Sequence, residues 1–170
     1  MLMDLFESNA GQLLPVADAE LVLWQRVDFG NEDDLLRHLI EETPWRQEQV
    51  TVWGKTYDQP RLVAWYGDAA QSYSYSGITL RALPWTPTLL RIKDKVETLC
   101  QHSFNSVLVN YYRNHLDGMG LHSDDEPELG PTPVIASVTF GTARQFVLKH
   151  RNRKDFVNVK LRLPSGSLLL

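Results

Sequence analysis

Short runs in which apolar and polar residues alternate recur along the chain, and a period of two is typical of β-strands with one buried face. This pattern predicts strands at 21–29, 50–55, 61–66, 104–112, 134–140, 144–149, 157–163 and 167–170. We expect 50–55 and 61–66 to pair with each other across a polar loop. The chain is therefore expected to be mostly β.

Two segments show helical spacing and carry signals for helix ends. Asn31 is a good N-cap ahead of three acidic residues that suit the positive end of a helix dipole, and Pro44 should stop that helix. Thr86 followed by Pro87 predicts the start of a second helix, which should end near Gln101. Short strands without β-α-β alternation predict an α+β fold, in which helices flank an antiparallel double sheet.

Composition and length restrict the class of protein further. The 170 residues are 43% hydrophobic and 22% charged, which suits one globular domain, 1–170, with 1–20 as a weakly patterned terminal extension. No run is long enough to span a membrane, no signal peptide is recognisable, and Cys100 is the only cysteine. We expect a soluble protein of a reducing compartment, with no membrane partner.

The charge is distributed unevenly along the chain. The formal net charge is −4, but seven Lys and Arg residues between 144 and 162 stand against one acid there, Asp155, which gives that segment +6 and leaves −10 elsewhere. Such a segment can contact phosphates. A solvated hairpin whose basic residues protect a sheet edge has the same composition, and the sequence does not separate these two interpretations.

The candidate chemistry is concentrated around His122 and Asp124. Because they are two residues apart, an extended backbone directs both side chains to the same side. One imidazole and one carboxylate are two thirds of the facial triad that holds non-haem Fe(II). Alone the motif is weak, since a solvated acidic turn can contain it by chance. Asn110 and Tyr112, on one face of the preceding strand, strengthen it because both can donate hydrogen bonds to a bound carboxylate.

The stretch 66–77 is dense in tyrosine, serine and glycine and too polar to form a core. An aromatic ladder that caps a hairpin would explain this composition. A platform on which a flat ligand such as a nucleobase stacks would explain it as well, and we favour the platform.

These motifs resemble the AlkB family of Fe(II)/2-oxoglutarate dioxygenases over residues 50 to 170. The resemblance rests on Asn110-x-Tyr112, His122-x-Asp124-Asp125-Glu126, Ser137-Val138-Thr139-Phe140-Gly141 and Arg144-x-Phe146. Three further motifs are similar to the subgroup related to the animal DNA-repair demethylases, namely Pro60-Arg61, Tyr66-Gly67-Asp68 and Tyr73-x-Tyr75-Ser76-Gly77. The resemblance implies a double-stranded β-helix, or jelly roll, with 104–170 as part of its core and 50–80 as a nucleotide-recognition lid.

The resemblance also implies a role for each matching residue. His122 and Asp124 would be ligands of Fe(II), and Asn110 and Tyr112 would bind 2-oxoglutarate. The expected substrate and DNA contacts are Glu126 at the damaged base, Tyr73 and Tyr75 in the lid, Trp53 as the wedge of a hairpin finger, Arg61, and Lys149, Arg151 and Arg153 in a phosphate-contacting loop.

One departure from the family concerns the third iron ligand. In the family, a distal His and the arginines that pair with 2-oxoglutarate follow a strand that reads like Gly166 to Leu170, and no other His of this chain stands at the matching place. Three leucines on an unfinished strand would expose an apolar edge. We therefore expect a shortened sequence without its C-terminal strands, which binds iron weakly and is inactive as it stands.

The implied function is oxidative demethylation of 1-methyladenine and 3-methylcytosine in DNA, or in RNA, with release of formaldehyde and succinate. The positive charge of these bases suits an acidic residue and aromatic ring faces. One alternative is a catalytically silent nucleic-acid-binding module on the same fold, and another is a related oxygenase of RNA or protein. We expect a monomer, in the bacterial cytoplasm or the eukaryotic nucleus.

Overall fold

The computed structural model of the chain describes residues 10–68, 72–75, 78–124 and 129–170, and for Val52, 72–75 and 78–81 it describes the backbone. The chain divides into two compact units. Unit 1 is Met1–Leu36 with Val134–Leu170, and unit 2 is Arg37–Pro133. The single domain remains a prediction.

The described residues form mainly strands together with two helices, so the prediction of a mostly β chain with helices is confirmed. In chain order the elements are β1 (Gln12–Leu14), β2 (Leu21–Trp24), α1 (Glu32–Glu42), β3 (Gln49–Val52), β4 (Lys55–Asp58), β5 (Leu62–Gly67), β6 (Ser72–Tyr75), β7 (Ile78–Arg81), α2 (Pro87–Cys100), β8 (Ser106–Tyr111), β9 (Ser137–Thr139), β10 (Arg144–Leu148), β11 (Val159–Leu163) and β12 (Ser167–Leu169). This content is consistent with a jelly-roll fold. Among the described residues, neither helix has the length and apolar character needed to cross a membrane.

Both helices begin where the sequence predicts. The Oδ1 atom of Asn31 accepts a hydrogen bond from the Asp34 backbone N–H at 3.3 Å, and the Thr86 hydroxyl accepts one from the Leu89 N–H at 3.1 Å. Each cap satisfies an N–H group that the helix itself leaves without a partner. Helix α2 closes with Gln101 in a left-handed conformation, with φ of 51°.

A four-stranded sheet in the order β1-β2-β12-β9 forms the centre of unit 1. Strand β12 pairs with β2 on one side and β9 on the other, and Leu168 is 0% exposed. The expectation that this strand exposes an apolar edge is therefore wrong, because its neighbours come from distant parts of the sequence. Strand β1 also joins the sheet, so part of the predicted terminal extension is ordered in it. Leu23, Leu163 and Leu169 form the core beside it.

The antiparallel pair β5–β8 forms the centre of unit 2. Its register runs from Leu62 opposite Tyr111 to Gly67 opposite Ser106. One face of the pair is hydrophobic. There, Tyr66 packs with Ala64, Leu89 of α2 and the partly buried Val107 and Val109 in one cluster.

The predicted pairing of 50–55 with 61–66 is wrong. Strand β3 pairs instead with β4, and the two residues between them are Trp53 and Gly54. Both have positive φ, 49° and 78°, which is the geometry of a tight two-residue hairpin. All four residues of β4 are exposed, so that strand has no buried face to show as alternation in the sequence.

Candidate active site

His122 and Asp124 lie next to each other in an exposed turn of unit 2. The Nε2 atom of His122 is 3.2 Å from Oδ1 of Asp124, and the side chains are 38% and 44% exposed. The other ring nitrogen, Nδ1, is 2.9 Å from the carbonyl oxygen of Gly120. Because a carbonyl oxygen can only accept, Nδ1 carries the proton, and the lone pair of the neutral ring is on Nε2.

Two acceptor atoms at this distance favour a positive charge shared between them. A proton on Nε2 would turn the two side chains into an exposed ion pair, whereas a metal ion would be bound by both. With metal–ligand bonds of about 2.1 Å, neighbouring corners of an octahedron are about 3 Å apart, so His122 and Asp124 fit two adjacent positions around Fe(II). Within 10–68, 72–75, 78–124 and 129–170, no three His, Cys, Asp or Glu side chains form a group that could hold a metal ion.

Asn110 has hydrogen-bonding capacity that the described residues do not use. It pairs with Val63 across β5 and β8, and paired residues of an antiparallel sheet share a face, here the one opposite the Tyr66 cluster. Its Nδ2 makes one long hydrogen bond, 3.5 Å, to the Leu108 carbonyl, and its buried Oδ1 has no partner in the described part of the chain. Buried amide atoms are rarely left unsatisfied, so a ligand on this face fits them. Tyr112, the other predicted 2-oxoglutarate contact, is half-buried just after β8.

Arg61 is buried, although a DNA contact is usually expected at an exposed position. It is 7% exposed, and its Nε has no hydrogen-bond partner among the described residues. It lies in a bend directly before β5, where its backbone N–H donates to the Gln59 carbonyl at 2.8 Å. A buried guanidinium nitrogen without an acceptor favours an anionic group of a ligand nearby.

An ion pair to which no motif pointed lies between β8 and the His122 turn. Asp117 is 6% exposed and accepts hydrogen bonds from Arg113 Nε at 2.8 Å, Nη2 at 3.0 Å and the backbone N–H at 2.9 Å. The hydrogen bond with Asp117 raises the pKa of the Arg113 guanidinium. Opposite charges four residues apart are the only sequence signal for it, and outside a helix that spacing does not imply contact.

Trp53 stands at the tip of the β3–β4 hairpin. Its side chain is 99% exposed, although tryptophan is normally buried for most of its surface. A tight turn holds the ring in water, away from any neighbour that would cover it. The role of Trp53 as a wedge remains a prediction.

Three predicted substrate residues are located only in part or not at all. Tyr73 and Tyr75 belong to β6, where they pair with Leu80 and Ile78 of β7. Their side chains, and the whole of Glu126, lie outside the described part of the structure. Their roles remain predictions.

The predicted phosphate-contacting residues belong to unit 1, in the connection between β10 and β11. Lys149 and Arg151 are exposed. Arg153 donates hydrogen bonds to Asp155 through Nε at 3.3 Å and Nη2 at 2.7 Å, and its guanidinium lies 4.0 Å from the centre of the Phe156 ring. These hydrogen bonds raise the pKa of Arg153 and lower that of Asp155. Part of the positive charge of this connection is therefore already neutralised.

His150 stabilises the conformation of the same connection through hydrogen bonds. Its Nδ1 accepts hydrogen bonds from the backbone N–H groups of Asn152 at 3.2 Å and Arg153 at 2.9 Å, while Nε2 is 3.1 Å from Asp18 Oδ2. Because an N–H group can only donate, the ring proton is on Nε2 and points to Asp18. His150 therefore has a structural role in unit 1.

Comparison with protein families gives a match that covers most of the chain. The sequence profile of the 2OG-Fe(II) oxygenase superfamily matches residues 27–170. The match includes the predicted metal and cosubstrate residues, the lid segment and the basic connection.

Named relatives resemble the same part of the chain. "Alpha-ketoglutarate-dependent dioxygenase alkB homolog 3" of Bos taurus is 41% identical over 152 residues, which are 85% of this chain and 52% of that protein. "DNA oxidative demethylase ALKBH2" of Mus musculus is 41% identical over 147 residues, 81% of this chain and 62% of that protein. The protein of the same name in Arabidopsis thaliana is 33% identical over 142 residues. The chain thus spans about half to three fifths of the length of the first two relatives.

Proposed function

This chain belongs to the 2OG-Fe(II) oxygenase superfamily and to its AlkB branch, and from this premise we propose that it removes alkyl groups oxidatively from the bases of DNA, or of RNA. The proposed substrates are 1-methyladenine and 3-methylcytosine. Bound Fe(II) and 2-oxoglutarate supply, with O2, the oxidation that hydroxylates the N-methyl group, which leaves as formaldehyde while succinate and carbon dioxide form.

His122 and Asp124 would hold the metal. The observation that carries the proposal is the 3.2 Å separation between Nε2 of the imidazole and Oδ1 of the carboxylate. The Gly120 carbonyl supports it further, because an imidazole whose other nitrogen donates to a carbonyl is kept in the tautomer that binds metal.

Asn110 and Tyr112 would hold 2-oxoglutarate by donating hydrogen bonds to its carboxylate. The unused amide capacity of Asn110 supports this role. Arg61, which is buried directly before β5, would contact an anionic group of the substrate. A guanidinium in that position would hold a negative group through charge-assisted hydrogen bonds.

The substrate side of the proposal concerns how a base reaches the metal. An enzyme that acts on a base must take it out of the stack, and a methyl group that blocks pairing lowers the cost of doing so. Trp53 would fill the gap left in the duplex, and its exposure at a hairpin tip supports this. Tyr73 and Tyr75 would stack on the flipped base, and Glu126 would favour its positive charge.

The same proposal includes a lid over residues 50–80 and phosphate contacts from Lys149, Arg151 and Arg153. It also includes a monomeric state and action where DNA is repaired, which is the bacterial cytoplasm or the eukaryotic nucleus. Two exposed basic side chains in a connection that His150 keeps ordered support the phosphate contacts.

Release of formaldehyde from a methylated oligonucleotide tests the proposal. With a chain that also carries the distal His of the family, we expect release that needs Fe(II), 2-oxoglutarate and the methylated base together. His122→Ala and Asp124→Ala should abolish it without lowering the melting temperature, while His115→Ala, at an exposed histidine outside the motif, should not change it. Binding of the methylated oligonucleotide without any release, by a chain that carries this third ligand, would instead identify the silent binding module.

A further inference from the structure

We propose that Asp117 is a positioning residue, which sets the place of the His122 turn by closing the loop 113–118 around its carboxylate. The inference rests on the proposed function in one respect, since it takes His122 and Asp124 as the metal ligands. The described contacts of Asp117 are with Arg113. Asp117 would therefore affect the metal indirectly, through the segment of chain that connects it to His122.

The carboxylate of Asp117 fixes both the main chain and the side chain of Arg113. Oδ2 accepts hydrogen bonds from Arg113 Nε at 2.8 Å and from its backbone N–H at 2.9 Å, and Oδ1 accepts one from Nη2 at 3.0 Å. A two-point guanidinium–carboxylate contact is stronger and more directional than a single ion pair. Arg113 directly follows Tyr112, so the contact begins at the end of the strand that carries the cosubstrate residues.

Two hydrogen bonds donated by backbone N–H groups, one to a side chain and one to a carbonyl, complete the closed loop. The Leu116 N–H donates to Oδ1 of Asn114 at 2.8 Å, and the Gly118 N–H donates to the Pro60 carbonyl at 2.8 Å. Pro60 directly precedes Arg61 and β5. The Gly118 bond therefore ties the far end of the loop to the start of the central strand pair, so the loop is fixed at both ends.

The turn that follows has much less support in the described part of the chain. Met119 is 37% exposed and Leu121 is 65% exposed. A Cβ atom added to Gly120 would meet no heavy atom within 4 Å apart from its chain neighbours. Because the turn packs against so little, the position of His122 depends on where the closed loop ends.

The consequence is an effect on metal binding that exceeds any effect on folding. Groups that orient metal ligands without touching the metal typically change its affinity by about 10–100-fold. Asn in place of Asp117 keeps the shape of the side chain but replaces one of the two accepting oxygens with a donor, so it cannot accept both guanidinium N–H groups. The backbone pairs of β5–β8 do not involve this residue.

Titration of the full chain with Mn(II) tests the role. We expect Asp117→Asn and Asp117→Ala to raise the Kd for Mn(II) about tenfold or more, with the melting temperature of the metal-free chain little changed. The matched control is Glu41→Gln, since Glu41 also pairs with an arginine four residues away, Arg37, at 3.4 Å, but on the surface of helix α1. This control should leave the Kd for Mn(II) unchanged. Mn(II) binding that is lost in His122→Ala is the binding that takes place at the proposed site.

Amide hydrogen exchange of the metal-free chain provides the second measurement. Asp117→Asn should speed exchange at Gly118 and leave β5–β8 protected. Equal exchange in parent and variant, or loss of protection throughout β5–β8, would overturn the positioning role. If the parent and His122→Ala bound Mn(II) equally well, the proposed function would be overturned. The hydrogen-exchange result would still decide whether Asp117 holds the loop in place.

Discussion

Asn110 is paired with Val63 across β5 and β8, and this register directs its amide away from the hydrophobic cluster on which the strand pair rests. Val107 and Val109 lie on the other face of β8 from Asn110, and they contribute to that cluster. The cross-strand partner of Asn110, Val63, is 4% exposed, so the amide lies on a second buried face, where it makes one long hydrogen bond to the Leu108 carbonyl. Its Oδ1 has no partner among the described residues, which leaves this atom available to a ligand.

Replacement of Asn110 by Ala should weaken binding of 2-oxoglutarate. A hydrogen bond to a charged group contributes about 1.5–3 kcal/mol, so the KM for 2-oxoglutarate should rise about 10–100-fold. The melting temperature should change little because the lost Oδ1 has no partner among the described residues. Initial rates at varied 2-oxoglutarate, with a thermal melt of each variant, check both statements.

Asn105→Ala provides the control for this prediction. Asn105 is exposed immediately before β8, and its side chain contacts Ser106. Its replacement should leave the KM for 2-oxoglutarate unchanged. An unchanged KM for Asn110→Ala would exclude Asn110 from the cosubstrate site.

Trp53→Ala should impair activity on duplex DNA far more than on single strands. Stacking of one aromatic side chain on a base is worth about 1–3 kcal/mol, which corresponds to a loss of about 5–100-fold in kcat/KM on duplex. The fold should not suffer, since the ring is 99% exposed. The measurement compares kcat/KM for the same methylated base in duplex and in single-stranded oligonucleotides.

Tyr57→Ala is the matched control, because Tyr57 is a second exposed aromatic residue of the same hairpin, on β4 rather than at the tip. It should affect duplex and single strand alike and only slightly. If Trp53→Ala reduced activity on both substrates equally, the ring would have no wedge function.

The sequence predicts those parts of the fold that depend on neighbouring residues. Both helix starts follow from caps that act within three residues, at Asn31 and Thr86. Strand pairing depends on distant segments instead, so the partner of β5 and the buried position of β12 could not be obtained from alternation. An exposed strand such as β4 gives no periodic signal at all.

The candidate site divides in the same way. His122 and Asp124 are found from sequence because an extended backbone brings residues two apart to the same side. The contact between Arg113 and Asp117 needs the loop to close, and no spacing rule outside a helix predicts that closure. The burial of Arg61 in the bend before β5 likewise has no signal in the sequence, where a charged residue is expected to be exposed.

Glu97 should make stability depend on pH. Its Oε1 accepts hydrogen bonds from the Phe104 N–H at 2.6 Å and contacts Lys93 Nζ at 3.0 Å, and the Phe104 bond is the main reason why the pKa of Glu97 is lowered from 4.5. A group whose pKa is lower in the folded chain stabilises it above the unfolded pKa and loses that contribution as the pH falls through the folded value. Glu97→Gln should therefore cost about 1 kcal/mol at neutral pH and much less at pH values well below 4.5.

Urea unfolding at neutral pH and at about pH 3 measures this difference. Glu41→Gln serves as the control, since exposed ion pairs contribute less than about 1 kcal/mol. If the free energies of unfolding of Glu97→Gln and the parent differed by the same amount at both pH values, the carboxylate charge would have no part in the difference.

The salt dependence of DNA binding should respond more to Lys149 than to Arg153. Each phosphate contact that is lost lowers the slope of log Kd against log salt concentration by about 1, so Lys149→Ala should show that decrease. Arg153→Ala should show less, because Asp155 already neutralises this guanidinium through two hydrogen bonds. Asp155→Asn should increase the slope, since it removes the competing carboxylate. Fluorescence anisotropy with a labelled oligonucleotide at several salt concentrations measures all three variants, and a slope that Lys149→Ala left unchanged would favour the solvated hairpin as the interpretation of the positive segment.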